Sequence, residues 1–254
     1  MTGWYQPVIF FGQLQHSTFS IWPLIPSSLS PDKGIMNGEP SCRVYLIRHG
    51  ETANSEQICF NGHFDVGLSS GGIEQFRLIS ASLKNHPIHS VYSSDLKRTR
   101  ICAEIIAEPH GLKPITHREL RELCFGEWEG LTVREVNKKY PNELENRLKD
   151  VETFSVKGGE SFHQLKTRVI PKFEEIVAKH PHDAIAIVAH GGVNRVILGH
   201  LLGISMNNIF RIQQEYGAIN VIQFYEDSVV VELIGGDHHH IPDPPVGDKK
   251  LAIQ

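Results

Sequence analysis

Two short stretches hold the most reactive side chains of this chain, Arg48-His49-Gly50-Glu51-Thr52 and Ala189-His190-Gly191-Gly192. A histidine nitrogen that lacks its proton can attack phosphorus and carry the phosphoryl group as phosphohistidine. A second histidine, if protonated, adds a donor to the phosphoryl oxygens. Arg48 beside His49, together with Arg98, offers forked donors that grip an oxyanion. Glu122, Glu127 and Glu129 are three carboxyl groups. Any one of them could protonate a leaving oxygen and later take a proton from water, and their spacing does not choose among them. This set needs no metal, because the guanidiniums and His190 neutralise the charge that a metal would otherwise meet. No cofactor is expected.

Each histidine ends an apolar, β-branched run, Val44-Tyr45-Leu46-Ile47 in one case and Ala184-Ile185-Ala186-Ile187-Val188 in the other. Such runs read as buried strands. In open α/β sheets, ligands bind at the carboxyl ends of the strands. If the two strands are parallel neighbours, their ends lie about 5 Å apart, and His49 and His190 face one small volume. A lone histidine is usually a packed or surface side chain, but two strands that both end in His-Gly point to a site. Gly50 allows a tight turn next to it.

The rest of the chain supplies the elements between. A loop through Gly62 precedes a helix at roughly 70–85, capped by Ser69 or Ser70. His89–Ser94 reads as a short strand ending in hydroxyls. The next helix carries Arg98 in its first turn, where free N–H groups and the dipole favour an anion. Ile115–Leu120 reads as a strand, followed by the acid-rich loop Arg121–Gly130. Thr132 with Glu135, and Ser161 with Gln164, are capping boxes for two helices, and Pro171 is expected to kink or reset the second. Strands at Ala218–Tyr225 and Val229–Ile234 close the domain as a hairpin around Glu226-Asp227. The alternation predicts an α/β fold, a three-layer α/β/α sandwich with a mostly parallel mixed sheet.

The predicted domain covers 41–235. Residues 1–40 form an apolar, Pro-rich extension without Lys, Arg, Asp or Glu up to Pro31. They lack the basic start of a signal peptide and the arginines of a transit peptide. They are read as an extension irrelevant to function, with Met36 as the true start, in preference to an apolar arm that packs on the domain or on a partner. Residues 236–254 are expected to be a disordered tail, with His238-His239-His240 solvated rather than metal-binding. A net charge of -4 gives no reason to expect nucleic acid or an anionic membrane as partner. No apolar run approaches the ~20 residues of a membrane span. Four cysteines without CxxC spacing fit free thiols in a cytoplasmic protein, and Cys124 is read as packing. The expected partner is a small phosphorylated metabolite, with oligomeric state open.

Taken together, these residues resemble the histidine phosphatase superfamily, which includes cofactor-dependent phosphoglycerate mutase. The resemblance begins in Arg48–Thr52 and continues through Gly62–Gly72, Ser93–Arg98, Glu122–Gly126 and Ala189–Gly192, over about residues 42–234. It implies that His49 is the phosphate acceptor, that Arg48, Arg98 and His190 form the phosphate pocket, and that Glu122 is the proton donor. Gly62 and Gly191 line the pocket. Many relatives place an asparagine six residues after the nucleophile, where this chain has Ser55 with Asn54 one residue early; either could serve. Thr99 and Cys102 stand where relatives often have Ala and Thr. Within the superfamily, Phe125-Gly126-Glu127-Trp128-Glu129-Gly130 and Gly158-Gly159-Glu160-Ser161-Phe162 are most similar to the α-ribazole phosphatase branch and to small broad-specificity phosphatases. That similarity implies α-ribazole 5′-phosphate, in cobalamin synthesis, as a substrate. The segment between the acid and the second histidine is shorter than in the mutases, which favours hydrolysis. Two alternatives are a phosphoglycerate mutase and an inactive phospho-ligand binding module.

Overall fold

The structure, a computed structural model, describes residues 40–244. Six strands form one sheet: β1 Pro40–Arg48, β2 Ile88–Ser93, β3 Ile115–Thr116, β4 Asp183–Ala189, β5 Ile219–Tyr225 and β6 Val229–Gly236. Their order is β3-β2-β4-β1-β5-β6. The β1–β4, β2–β4 and β2–β3 pairs are parallel, whereas β1–β5 and β5–β6 are antiparallel. The mixed, mostly parallel sheet is therefore present, with the closing hairpin as its antiparallel edge.

Both faces of the sheet are covered, which is why its central strands read as continuous apolar runs. Val44, Leu46, Ile185 and Ile187 pack on one side with Phe173 of α5 (Phe162–Ala178) and Val196 of α6 (Gly191–Leu201). Tyr45, Ile47, Ala186 and Val188 pack on the other with Phe76 of α1 (Ser70–Leu83) and Ile106 of α2 (Lys97–Ala107). The alternation along one strand feeds two cores, giving three layers. Between β3 and α5 the chain makes an excursion containing α3 (Val133–Lys139) and α4 (Glu143–Lys149), with a small core of its own around Trp128, Val136 and Val156.

The helix starts follow their local chemistry. Ser69 Oγ accepts from Gly72 N, and both capping boxes, Thr132 with Glu135 and Ser161 with Gln164, are formed.

Three expectations need correction. The strand expected at Ile115–Leu120 is only two residues long. Its partner β2 ends at Ser93 opposite Thr116, so no ladder remains, and Arg118–Leu120 turns as a 3-10 helix that buries Leu120. Pro171 does not reset α5, which runs unbroken from Phe162 to Ala178. The proline ring lies on the exposed side, while Ile170 and Phe173 hold the flanking turns to the core. Finally, the chain beyond Gly236 stays on the domain as far as it is described. Arg43 Nη2 donates to the carbonyl oxygen of Pro242 at 3.0 Å, and Ile241 packs against the α1–α2 core. The expectations for residues 1–39 and 245–254 lie outside the described residues.

Candidate active site

The register of the parallel strands builds the site. Arg48 pairs with Ala189 and Ser93 with Val188, so β1, β4 and β2 end together. His49 N donates to Ala189 O at 3.0 Å, which locks the two His-Gly turns side by side. The rings of His49 and His190 lie 5.2 Å apart between centroids.

His49 is buried, and its Nδ1 lies 2.8 Å from Gly50 O. A carbonyl only accepts, so Nδ1 carries the proton and Nε2 keeps its lone pair. Burial, then the charges of Arg98 and Arg48, hold His49 well below the usual histidine range against the opposing Gly50 bond. The ring is therefore neutral and nucleophilic at neutral pH.

His190 is fully buried and is pushed down in the same way, by burial first and then by Arg98, His49 and Arg48. The donor expected of a protonated His190 arises instead from the neutral ring. Ser94 Oγ lies 2.8 Å from His190 Nε2 and 2.6 Å from Thr99 Oγ1, and Thr99 Oγ1 can donate to the carbonyls of Leu96 and Ser94. When the Ser94 hydroxyl donates to Nε2, the ring proton sits on Nδ1, the nitrogen without a protein partner.

The two guanidiniums are held from behind. Arg98 Nη2 donates to Gly62 O at 2.6 Å and Nη1 to Phe64 O at 3.1 Å. Gly62 has φ +46, and a Cβ there would meet Glu129 Oε1 at 2.6 Å, so this carbonyl is delivered by a turn that favours glycine. Arg48 Nη1 donates to Gln214 O, and its guanidinium lies 4.2 Å from the Tyr216 ring centre. Tyr216 also packs on His49 at 5.6 Å.

Three buried nitrogens in this cluster have no acceptor: Arg48 Nε, Arg98 Nε and His190 Nδ1. Buried N–H groups normally find partners. Three left open near His49 are an arrangement that can receive the oxygens of a tetrahedral oxyanion.

The structure separates the three acids. Glu122 Oε2 accepts from Gly192 N at 3.1 Å, at the start of α6 and two residues from His190. Glu127 lies near the surface, paired with Lys157 and Tyr140. Glu129 Oε1 accepts from the backbone N–H groups of His63 and Phe125 and shapes that loop. Asn54 and Asn61 exchange side-chain amide bonds at 2.7 and 3.2 Å, tying the loop after His49 to the one that holds Arg98. Ser55 N donates to Thr52 O at 3.1 Å in the turn after His49, and its side chain is half-buried. Gly191 lies against the pocket, where a Cβ would come within 3.4 Å of Arg48 Nε.

Sequence reasoning missed Tyr216, which lies in a segment without periodicity, and the role of Ser94, signalled only by hydroxyls at a strand end. The His238–His240 segment is described: His240 Nδ1 bonds Asp237 at 2.7 Å and both are exposed.

Comparison with known proteins gives the family. Residues 44–236 match the histidine phosphatase superfamily (branch 1), and the chain belongs to that family. It is 32% identical to phosphoglycerate mutase-like protein 4 of Arabidopsis thaliana, over 79% of this chain and 87% of that one. It is 29% identical to phosphoserine phosphatase 1 of Hydrogenobacter thermophilus, over 74% of this chain and 90% of that one. The fold is similar to that of the α-ribazole phosphatase from Shigella flexneri, with a TM-score of 0.71 at 24% identity, covering 76% of this chain and 96% of that one. No helix among the described residues is long and apolar enough to cross a membrane.

Proposed function

We propose that this protein hydrolyses phosphomonoesters of small metabolites through a phosphohistidine on His49, without a metal. The observation that carries this reading is the trio of unpartnered buried donors beside a histidine whose Nδ1–H is committed to Gly50 O. Arg48, Arg98 and His190 hold the phosphoryl oxygens, and these fixed donors act strongly because water is excluded. His49 Nε2 attacks phosphorus as the ester oxygen departs. Glu122 gives that oxygen its proton, then takes one from the water that attacks the phosphohistidine and releases phosphate.

Rapid quench with a labelled phosphomonoester tests this. A base-stable, acid-labile phosphoenzyme should form and turn over, and His49→Ala should abolish both. Phosphate binding without turnover on any ester would favour an inactive binding module. Rapid interconversion of phosphoglycerates without phosphate release would favour a mutase, the activity named in a relative. The finer substrate reading is α-ribazole 5′-phosphate, supported by the loop motifs Phe125–Gly130 and Gly158–Phe162. Phosphoserine is the alternative, supported by the name of a relative. Both belong in one assay panel with p-nitrophenyl phosphate.

A further inference from the structure

Three side chains that the proposed chemistry does not use converge where the turn at Gly62-His63 meets the acid-rich loop. His63, Cys124 and Glu129 are half-buried, and each offers one ligand atom to a set whose members lie within 4.8 Å of one another. His63 and Glu129 are 66 residues apart in the chain, so the fold and not a local motif brings them together. Imidazole, thiolate and carboxylate are the side-chain groups that bind zinc.

Each of the three is held from behind. His63 Nε2 lies 2.9 Å from Glu122 O. A carbonyl accepts and cannot donate, so Nε2 carries the ring proton and Nδ1 keeps its lone pair. Metal-binding histidines are oriented in this way, with the other ring N–H given to a backbone carbonyl or carboxylate. Glu129 Oε1 accepts from His63 N at 2.8 Å and from Phe125 N at 3.2 Å, which fixes the carboxylate at the His63 backbone. Cys124 is clamped through its main chain. Its N donates to Glu160 Oε2 at 2.9 Å, and its carbonyl accepts from Glu160 N at 2.9 Å. The Cys124 thiol meets Gly158 O at 3.7 Å, a long contact that a metal bond can replace at small cost.

Charge and softness select the ion. A thiolate and a carboxylate together neutralise a dication. Magnesium and calcium take oxygen ligands, whereas a thiolate with an imidazole suits zinc. Bonds of about 2.0–2.3 Å put the ligand atoms of a tetrahedral zinc about 3.5 Å apart. Side-chain rotation supplies the contraction from 4.8 Å.

We propose that His63, Cys124 and Glu129 form a zinc site, with water as the fourth ligand, that braces the two loops flanking the phosphate pocket. On binding, the Cys124 S–H bond breaks, its proton passes to solvent and a sulfur–zinc bond forms, with no change of oxidation state. The brace reaches the pocket at two points. Gly62, next to His63, holds Arg98 through its carbonyl oxygen, and the Glu122 carbonyl oxygen holds His63. The ion takes no part in phosphoryl transfer, so this site stands or falls independently of the proposed hydrolysis.

Cobalt(II), titrated into the full chain under reducing conditions, serves as a spectroscopic probe for zinc. It should bind with a thiolate-to-cobalt charge-transfer band in the near ultraviolet, and zinc should displace it. Cys124→Ser should lose the band, while Cys59→Ser, at the other half-buried thiol, should keep it. His63→Gln should weaken zinc binding by about tenfold or more, since even the partners behind a ligand are worth about 10–100-fold. Zinc should raise the Tm of the wild type, because it binds the folded chain, and leave that of Cys124→Ser unchanged. Cys124→Ser exchanges one atom and carries the test, whereas Glu129→Gln also loosens its loop. Cobalt that binds without the band, as on the exposed His239 and His240, overturns the site. So does a band that survives in Cys124→Ser, or a zinc-induced rise in Tm that is equal in the two proteins.

Discussion

Glu122 lays its carboxylate against Gly192, with Oε2 3.1 Å from Gly192 N, and a Cβ at that glycine would come 2.5 Å from Oε1. The second glycine of His190-Gly191-Gly192 thus makes room for an acid from a loop 70 residues earlier in the chain. Gly192→Ala has no unusual backbone angle to fight, so the flexible carboxylate should move rather than the helix. The expected result is a loss of turnover on alkyl phosphates approaching that of Glu122→Gln, with little change in Tm. Retained activity would show that Glu122 works from another position.

Ser94 is a positioning residue for His190. Ser94→Ala removes the donor to Nε2 and frees the ring to carry its proton there, taking the N–H away from the phosphate cradle. Loss of one oxyanion donor is costly, so kcat/KM should fall by up to about 10²-fold. Thr99→Val should act in the same direction but less. Nitrogen NMR of the imidazole reads the tautomer directly. An unchanged Nδ1–H signal in Ser94→Ala would remove Ser94 from this role.

Activity should survive EDTA, since the proposed mechanism neutralises the phosphoryl charge with the Arg48 and Arg98 guanidiniums. Among the described residues, the group closest to a metal-binding set is His63, Cys124 and Glu129, whose ligand atoms lie within 4.8 Å of one another. If EDTA abolishes turnover and zinc restores it, Cys124→Ser should show whether this cluster is responsible.

Much of the fold was legible because one physical rule governs it. Val44-Tyr45-Leu46-Ile47 feeds two cores at once, so its continuous apolarity announced a covered, parallel strand. The same rule placed His49 beside His190, because parallel neighbours end together. What was not legible depended on partners distant in the chain. Ile115–Leu120 has strand composition, but β2 stops and leaves it nothing to pair with. Helix α4 has no fully buried residue, and the single pair Leu144 and Leu148 is too short a pattern to announce a helix. Arg43, deep in β1, takes the carbonyl of Pro242, and no local pattern near residue 242 could disclose that.

Burial and the neighbouring arginines keep His49 and His190 neutral, and this fixes a pH dependence of stability. Below about pH 6.5 the unfolded chain binds a proton on each histidine while the folded chain does not. Stability is therefore complete above 6.5 and declines as pH falls, by about 1.4 kcal/mol per pH unit for each histidine until its folded value is reached. His86, His110 and His117 are lowered as well and add to the slope. Urea denaturation between pH 7 and 5.5 measures it, and His190→Gln should flatten it. Formation of phosphoenzyme should show no acid limb near 6.5. A limb there would mean that His49 titrates like an exposed histidine.

The choice of acid is tested by leaving groups. In the proposed mechanism Glu122 acts on protons only, so Glu122→Gln should slow both halves of the reaction while leaving His49 able to accept phosphate. General acid–base assistance is worth about 10²–10⁴-fold. An alkyl phosphate expels a poor alkoxide and needs the full effect. p-Nitrophenyl phosphate expels a stable phenoxide and needs little of it. With that substrate, Glu122→Gln should still form phosphoenzyme, and attack by water, now without its base, becomes slow. The labelled intermediate should accumulate. Glu127→Gln removes a partner of Lys157 and Tyr140 near the surface and should be close to neutral. Glu129→Gln weakens the bonds to the His63 and Phe125 N–H groups. It should lower Tm and affect all substrates alike, because the damage is to the loop and not to proton transfer. Leaving-group dependence is the signature that separates an acid from a scaffold. If Glu127→Gln or Glu129→Gln shows it while Glu122→Gln slows both substrates equally, the proton comes from a different carboxyl group than Glu122.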